Sequence, residues 1–204
     1  MVKEVHFMGV REARLLEPRS DTVIISILDQ FEEHNRPDHL HRFKNHLILY
    51  FVDTFEKPGE PDWPDQMSEE EHKVICKYDE EKAPELIDAR RIVEFINRHH
   101  ASPEQVRLVV HCHGGVSRSA AVAKWLGEFC AVPLPQLGDG IHDLDEANPR
   151  VLRLLMKATV RGLQAQEFAC SKHQVPDVAR LEDEPWLRAY RSCEQPRASQ
   201  AGQP

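Results

Sequence analysis

Apolar residues gather in three near-continuous runs, at positions 22–28 (TVIISIL), 46–52 (HLILYFV) and 106–110 (VRLVV). Runs that are apolar at successive positions, instead of alternating with polar ones, predict strands buried on both faces of a parallel sheet. A shorter run at 5–10 predicts an edge strand, and residues 11–19 a helical turn or loop closed by Pro18. Elsewhere the apolar period is that of a helix. Pro84 opens one, with Leu86, Ala89, Val93 and Ile96 on a single stripe and the basic pair His99-His100 at its end. Residues 118–130 are apolar or small on most sides, which predicts a core helix stopped by Pro133 and Pro135. Asn148 as cap and Pro149 at the first turn open a last helix whose apolar face is Val151, Leu152, Leu155, Ala158 and Leu163. Strands separated by helices predict an α/β fold, with a central, mostly parallel sheet of about four to five strands flanked by helices. Ligands of such sheets sit beyond the carboxyl ends of the strands. Asp53 and Cys112 both stand at such ends, so they are expected to meet despite the 58 residues between them.

The polar stretches divide the rest. Residues 30–45 hold His34, His39 and His41; His39-x-His41 suggests a metal site, but with no cysteine or obvious carboxylate partner a solvated loop is the better reading. Residues 54–82 are rich in proline and poor in apolar side chains, which predicts a lid or an insertion within the domain. Inside it Ser68-Glu69-Glu70-Glu71 spells a capping box for a short helix reaching about Tyr78. From Glu56 to Asp88 twelve acidic residues face four lysines, an excess expected to disfavour acidic ligands. The organisation expected is one domain over 1–170 and a polar, partly disordered tail over 171–204.

Composition then narrows the class. The 204 residues are 41% hydrophobic and 29% charged, with a net charge of −8, as in a soluble protein without a nucleic-acid or anionic-membrane surface. No apolar run is long enough to span a bilayer and the first residues lack a signal-peptide core, so a cytoplasmic monomer is expected. Five cysteines (76, 112, 130, 170 and 193) are widely spaced with no CxxC, and read as free thiols.

Only Cys112 has surroundings that argue for chemistry. The segment His111-Cys112-His113-Gly114-Gly115-Val116-Ser117-Arg118-Ser119 joins a buried strand to a core helix. A glycine-bearing loop at a helix N-terminus turns its N–H groups inward as an anion nest. Arg118 can fold its planar fork over the mouth of that nest and hold two phosphate oxygens. The same cradle favours the nucleophilic thiolate of Cys112.

This segment resembles the cysteine-dependent protein phosphatases, whose pattern H-C-x-x-G-x-x-R-[S/T] it matches at every fixed position. The Val-Ser-Arg-Ser-Ala form is most similar to the compact dual-specificity and prokaryotic tyrosine phosphatase-like members, and the likeness extends more loosely over about residues 1–165. It implies a phosphatase-like three-layer fold and hydrolysis of a phosphorylated protein or peptide, with neither metal nor cofactor. Cys112 would form a phosphocysteine; the N–H groups of His113, Gly114, Gly115, Val116, Ser117 and Arg118, with the Arg118 guanidinium, would bind the phosphoryl oxygens. Ser119 would stabilise the departing thiolate, and His111 would orient the loop and help make Cys112 acidic. A general acid is also expected. Asp53 follows a strand directly, as in compact relatives. Trp63-Pro64-Asp65 spells the acid-loop tripeptide of larger tyrosine phosphatases, and Asp79 lies near the usual spacing.

Other readings are a phosphate-binding module without catalysis and a phosphatase of phosphoinositides or RNA 5′-triphosphate. The absence of lysine in the loop disfavours a multiply phosphorylated substrate. Sulfur transfer is disfavoured by the arginine that follows Cys112 after five intervening residues, and arsenate reduction by the lack of a nearby resolving cysteine.

Overall fold

The computed structural model describes residues 1–56, 62–76, 78, 80–137 and 144–170, with side chains through residue 159. The chain divides into a first unit, Met1–Gly162, and a second, Leu163–Pro204. Of the second only the helical residues to Cys170 are described. The expected tail at 171–204 lies outside the described residues.

Four parallel strands, β1 (Val2–Gly9), β2 (Thr22–Leu28), β3 (Asn45–Tyr50) and β4 (Val106–Cys112), form one sheet in the order β1-β4-β2-β3. Around it run α1 (Val10–Leu15), α2 (Glu69–Ile75), α3 (Leu86–His100), α4 (Arg118–Cys130) and α5 (Pro149–Cys170). Side chains alternate across a strand. Val23, Ile25, Ile27, Leu108 and Val110 therefore share one core with α3, α4 and α5. Ile24 and Val109 point the other way, onto Leu40, Phe43 and Leu16.

That second face overturns the reading of residues 30–45 as a solvated loop. The stretch folds as two 3-10 turns, Gln30–Asn35 and Leu40–Arg42. Leu40 and Phe43 are buried, and each such side chain removed from water contributes about 1.5–3 kcal/mol. Arg36 is buried too, donating to Ser26 Oγ at 2.7 Å and lying over the Tyr50 ring. His39 and His41 bond instead to the main chain of Leu16 and Asp38.

The run at 46–52 is likewise corrected from a buried strand to an edge strand. β3 has β2 on one side only, its Asn45 and His46 are exposed, and Leu49 alone is fully buried within it. Phe51 and Val52, which extended the apolar run, are buried in the connection that follows. β1 is the other edge, as expected, but it begins at Val2, and Val10 already belongs to α1. His99 at the end of α3 is buried and its basicity lowered by that burial, so it caps no dipole as a cation. On α5 the buried stripe is Val151, Leu154, Leu155 and Ala158; Leu152 is only partly covered and the Leu163 side chain is outside the described residues.

The described part of 54–82 is docked. The predicted capping box forms, with Ser68 and Glu71 exchanging bonds, although α2 stops at Ile75. Val52, Cys76 and Ala83 make a small core backed by Met67 and Ile75. Arg150, whose side chain is wholly buried, reaches Glu56 Oε1 at 2.7 Å, Pro64 O at 2.9 Å and Pro84 O at 2.8 Å. Arg153 bonds both Glu56 oxygens, and Asp65 receives Arg153 at 3.2 Å and Lys157 at 3.0 Å. The acids at 56, 65, 85 and 88 therefore have basic or main-chain partners inside the fold. The expected acidic face towards ligands loses much of its basis.

Candidate active site

The carboxyl ends of the parallel strands carry the residues that matter. β4 ends at Cys112, which pairs in register with Gly9 at the end of β1. Six residues separate Cys112 from Ser119, and the loop between them curls tightly enough to bring both side chains together. Cys112 Sγ lies 3.2 Å from Ser119 Oγ and accepts the Gly115 N–H at 3.2 Å. Both Cys112 and Ser119 are buried.

Gly115 makes the curl possible. Its φ is +80°, a region costly for a residue with a side chain, and a Cβ there would collide with the main chain of Met8 and Gly9. Gly9 in turn lies under the carbonyls of His113 and Gly114. The Val10 N–H closes this contact, donating to His113 O at 3.0 Å. The end of β1 thus supports the loop, a role for Gly9 that the sequence reading missed.

Arg118 is the first residue of α4 and is buried. Its Nη1 donates to Phe51 O at 2.7 Å and its Nη2 lies 3.9 Å from Glu32 Oε2. Its Nε is buried with no hydrogen-bond partner. Leaving a buried donor of a charged group unsatisfied is costly, and an anion held in the loop would be a natural acceptor. Glu32 also pairs with His113 Nδ1. Burial and the neighbouring Asp29 raise the Glu32 pKa, against the pull of His113 and Arg118. Nothing in the pattern of residues 30–45 had marked Glu32.

Asp53 and the loop meet. Asp53 is exposed, and its Oδ1 accepts from Ser117 Oγ at 2.7 Å and from Asn148 Nδ2 at 2.8 Å. Asn148 is wholly buried; it also donates to Thr54 O at 2.9 Å, caps α5 by accepting the Val151 N–H at 3.0 Å, and donates its own N–H to Ser117 O. The helix cap legible in the sequence is therefore also a clamp joining Asp53, the loop and α5.

The other acids differ. Burial would raise the Asp65 pKa, but Lys157 and Arg153 outweigh it and hold the carboxyl below its usual range. A carboxylate so held is a poor proton donor, and its partners among the described residues lie on α5. Asp79 lies outside the described residues.

His111 is wholly buried and neither ring nitrogen has a hydrogen-bond partner. Burial and the charges of Arg36 and Arg118 push its pKa down to about 4, against a smaller upward pull from the Cys112 main chain. A neutral imidazole supplies no positive charge to Cys112, so any part of His111 in making Cys112 acidic would not be that of a cation. Val116 is exposed at the loop's outer edge, as are His113 and Gly114. Burial pushes the thiol of Cys130 up to about 11 and that of Cys76 up as well, which suits inert packing. Among the described residues no three metal-ligating side chains cluster, and no helix is long and apolar enough to cross a membrane.

No family model matches the chain, and no curated protein matches it. Among solved structures it is similar to a human tyrosine phosphatase-like serine/threonine/tyrosine-interacting protein, at 16% identity and a TM-score of 0.41. The match covers 70% of this chain and 78% of that one.

Proposed function

We propose that the chain is a phosphomonoester hydrolase of the protein tyrosine or dual-specificity kind, acting on a phosphorylated protein or peptide. One observation carries the reading. Cys112 Sγ sits within hydrogen-bond reach of Ser119 Oγ and the Gly115 N–H, on the loop that also carries a buried Arg118 whose Nε has no hydrogen-bond partner among the described residues.

In the first step the Cys112 thiolate attacks phosphorus, an S–P bond forms and the P–O bond to the leaving group breaks. Asp53 gives its proton to the leaving oxygen. The Arg118 guanidinium and loop N–H groups hold the equatorial oxygens as charge spreads over them. In the second step Asp53, now ionised, takes a proton from the attacking water. A new P–O bond forms, the S–P bond breaks, and Ser119 Oγ donates to the departing thiolate. Asn148 and Ser117 position Asp53 by its Oδ1.

The test is hydrolysis of p-nitrophenyl phosphate, with Cys112→Ser as the dead control. Asp53→Asn should lower kcat, and more for an alkyl than an aryl phosphate. Asp65→Asn should leave kcat nearly unchanged while lowering stability. No turnover at any pH, with phosphopeptide binding retained, would replace the enzyme by a phosphate-binding module.

A further inference from the structure

Beside the loop opens a cavity of about 620 Å³ lined by Gly9 at the end of β1, residues of α1, the loop and the first 3-10 turn. It shares His113 and Gly114 with the loop. The opening therefore adjoins the loop that would hold the phosphoryl group.

The charges around the cavity are unequal. Glu12, one of the lining residues, receives the Gly9 N–H at 2.9 Å through Oε2. Among the described residues Arg14 bonds only neutral acceptors, Asn35 O at 2.9 Å, His34 O at 3.3 Å and Asn35 Oδ1 at 3.4 Å, and no carboxylate of theirs pairs with its charge. Arg11 is exposed, lines the same cavity, and makes no hydrogen bond or ion pair with any described residue. His113, the remaining titratable group, is paired with Glu32. Of the residues lining the cavity, two thus carry guanidiniums and one a carboxylate, with Glu32 behind His113 as its counter-charge. The floor, Gly9, Val10 and Gly114, brings no charge.

We infer that this cavity is a second substrate subsite, which takes an anionic group, a carboxylate or a second phosphate, on a residue adjacent to the phosphorylated one, through Arg11 with Arg14 as fixed support. The inference rests on the phosphomonoester reading of the loop. It deepens that reading by giving the site a preference for acidic neighbours, opposite to the one expected from the acidic content of 56–88.

The experiment compares phosphotyrosine peptides that differ only beside the phosphotyrosine, carrying Glu, phosphoserine, Gln or Lys. In wild-type protein kcat/KM should rank Glu and phosphoserine above Gln and Gln above Lys. The span is expected to be about tenfold at low salt, the worth of one charge-assisted contact, and narrower at high salt. A gain for both anions assigns the subsite to unit charge, and a gain for phosphoserine alone assigns it to phosphate. Arg11→Glu should invert the ranking while p-nitrophenyl phosphate turnover stays at the wild-type level. The same ranking should appear in peptide binding to Cys112→Ser protein by calorimetry, which decides the subsite even where turnover fails. A flat ranking in wild-type protein, or a ranking that survives Arg11→Glu, overturns the inference. Loss of p-nitrophenyl phosphate turnover in wild-type protein overturns the phosphatase reading separately.

Discussion

Glu56→Ala tests whether the segment after β3 is held down or merely tethered. The carboxylate meets Arg150 Nη1 at 2.7 Å and Arg153 Nη2 at 2.5 Å and Nε at 3.1 Å, and it also accepts the Trp63 N–H at 3.2 Å. Arg150 is wholly buried, so removing Glu56 strands a guanidinium in the interior with carbonyls as its remaining hydrogen-bond partners. Breaking a buried pair from one side costs about 3–5 kcal/mol. Arg153 is partly exposed and Arg150 keeps two carbonyls, which argues for the lower end, about 3 kcal/mol. That is a large share of a typical total of about 5–15 kcal/mol. With a urea slope of about 2 kcal/mol per molar, the unfolding midpoint should fall by about 1.5 M. Arg150→Met alone should cost less, since the Glu56 carboxylate it leaves behind keeps Arg153 as its partner. The double variant should recover part of the Glu56→Ala loss. A midpoint shift below about 0.3 M, or strict additivity in the double variant, would refute the reasoning and return the segment to a solvated insertion.

Three further outcomes follow from the same geometry. Glu56 is half-buried, yet bonds and charges from Arg153 and Arg150 bring its pKa below the ordinary 4.5, so its contribution is fully present above that value. It is lost as pH falls through the folded value. Urea midpoints of wild-type protein should therefore drop on acidification, and those of Glu56→Gln should drop less. Asn148→Asp keeps the helix cap but sets a second carboxylate against Asp53 Oδ1; the alkaline limb of the kcat profile should move up by about one pH unit, as expected for like charges near solvent. An unmoved limb would mean Asp53 is not the acid. Gly115→Ala should cut kcat/KM by about a hundredfold, the usual cost of displacing reacting groups by about 1 Å, with the circular dichroism of the sheet and helices retained.

What was legible in the chain was what depends on near neighbours. β2 and β4 were read from β-branched runs, α4 from its apolar mass, α2 from a capping box, and the start of α5 from Asn148-Pro149. The meeting of Asp53 with the loop was also legible, because a parallel sheet brings its carboxyl ends together. Residues whose roles depend on distant partners were not. Glu56 and Asp65 find their cations about ninety residues away on α5, so their own surroundings read as a solvated acidic stretch. β3 looked central because Phe51 and Val52 lengthened its apolar run; strand order is not written in any single strand. Glu32 and Gly9 carry no local signal at all.

The backbone contact between Gly9 and Gly115 divides the loop into two kinds of position. No side chain can be placed at Gly115 without moving the end of β1, so that point of the cradle allows no variation. His113, Gly114 and Val116 face outward and carry no such restriction. Changes of ligand preference can then accumulate at these three sites and along α1 while the geometry at sulfur stays constant. The edge strand thereby acts as a template: it keeps the reactive centre invariant and leaves its rim free to diversify.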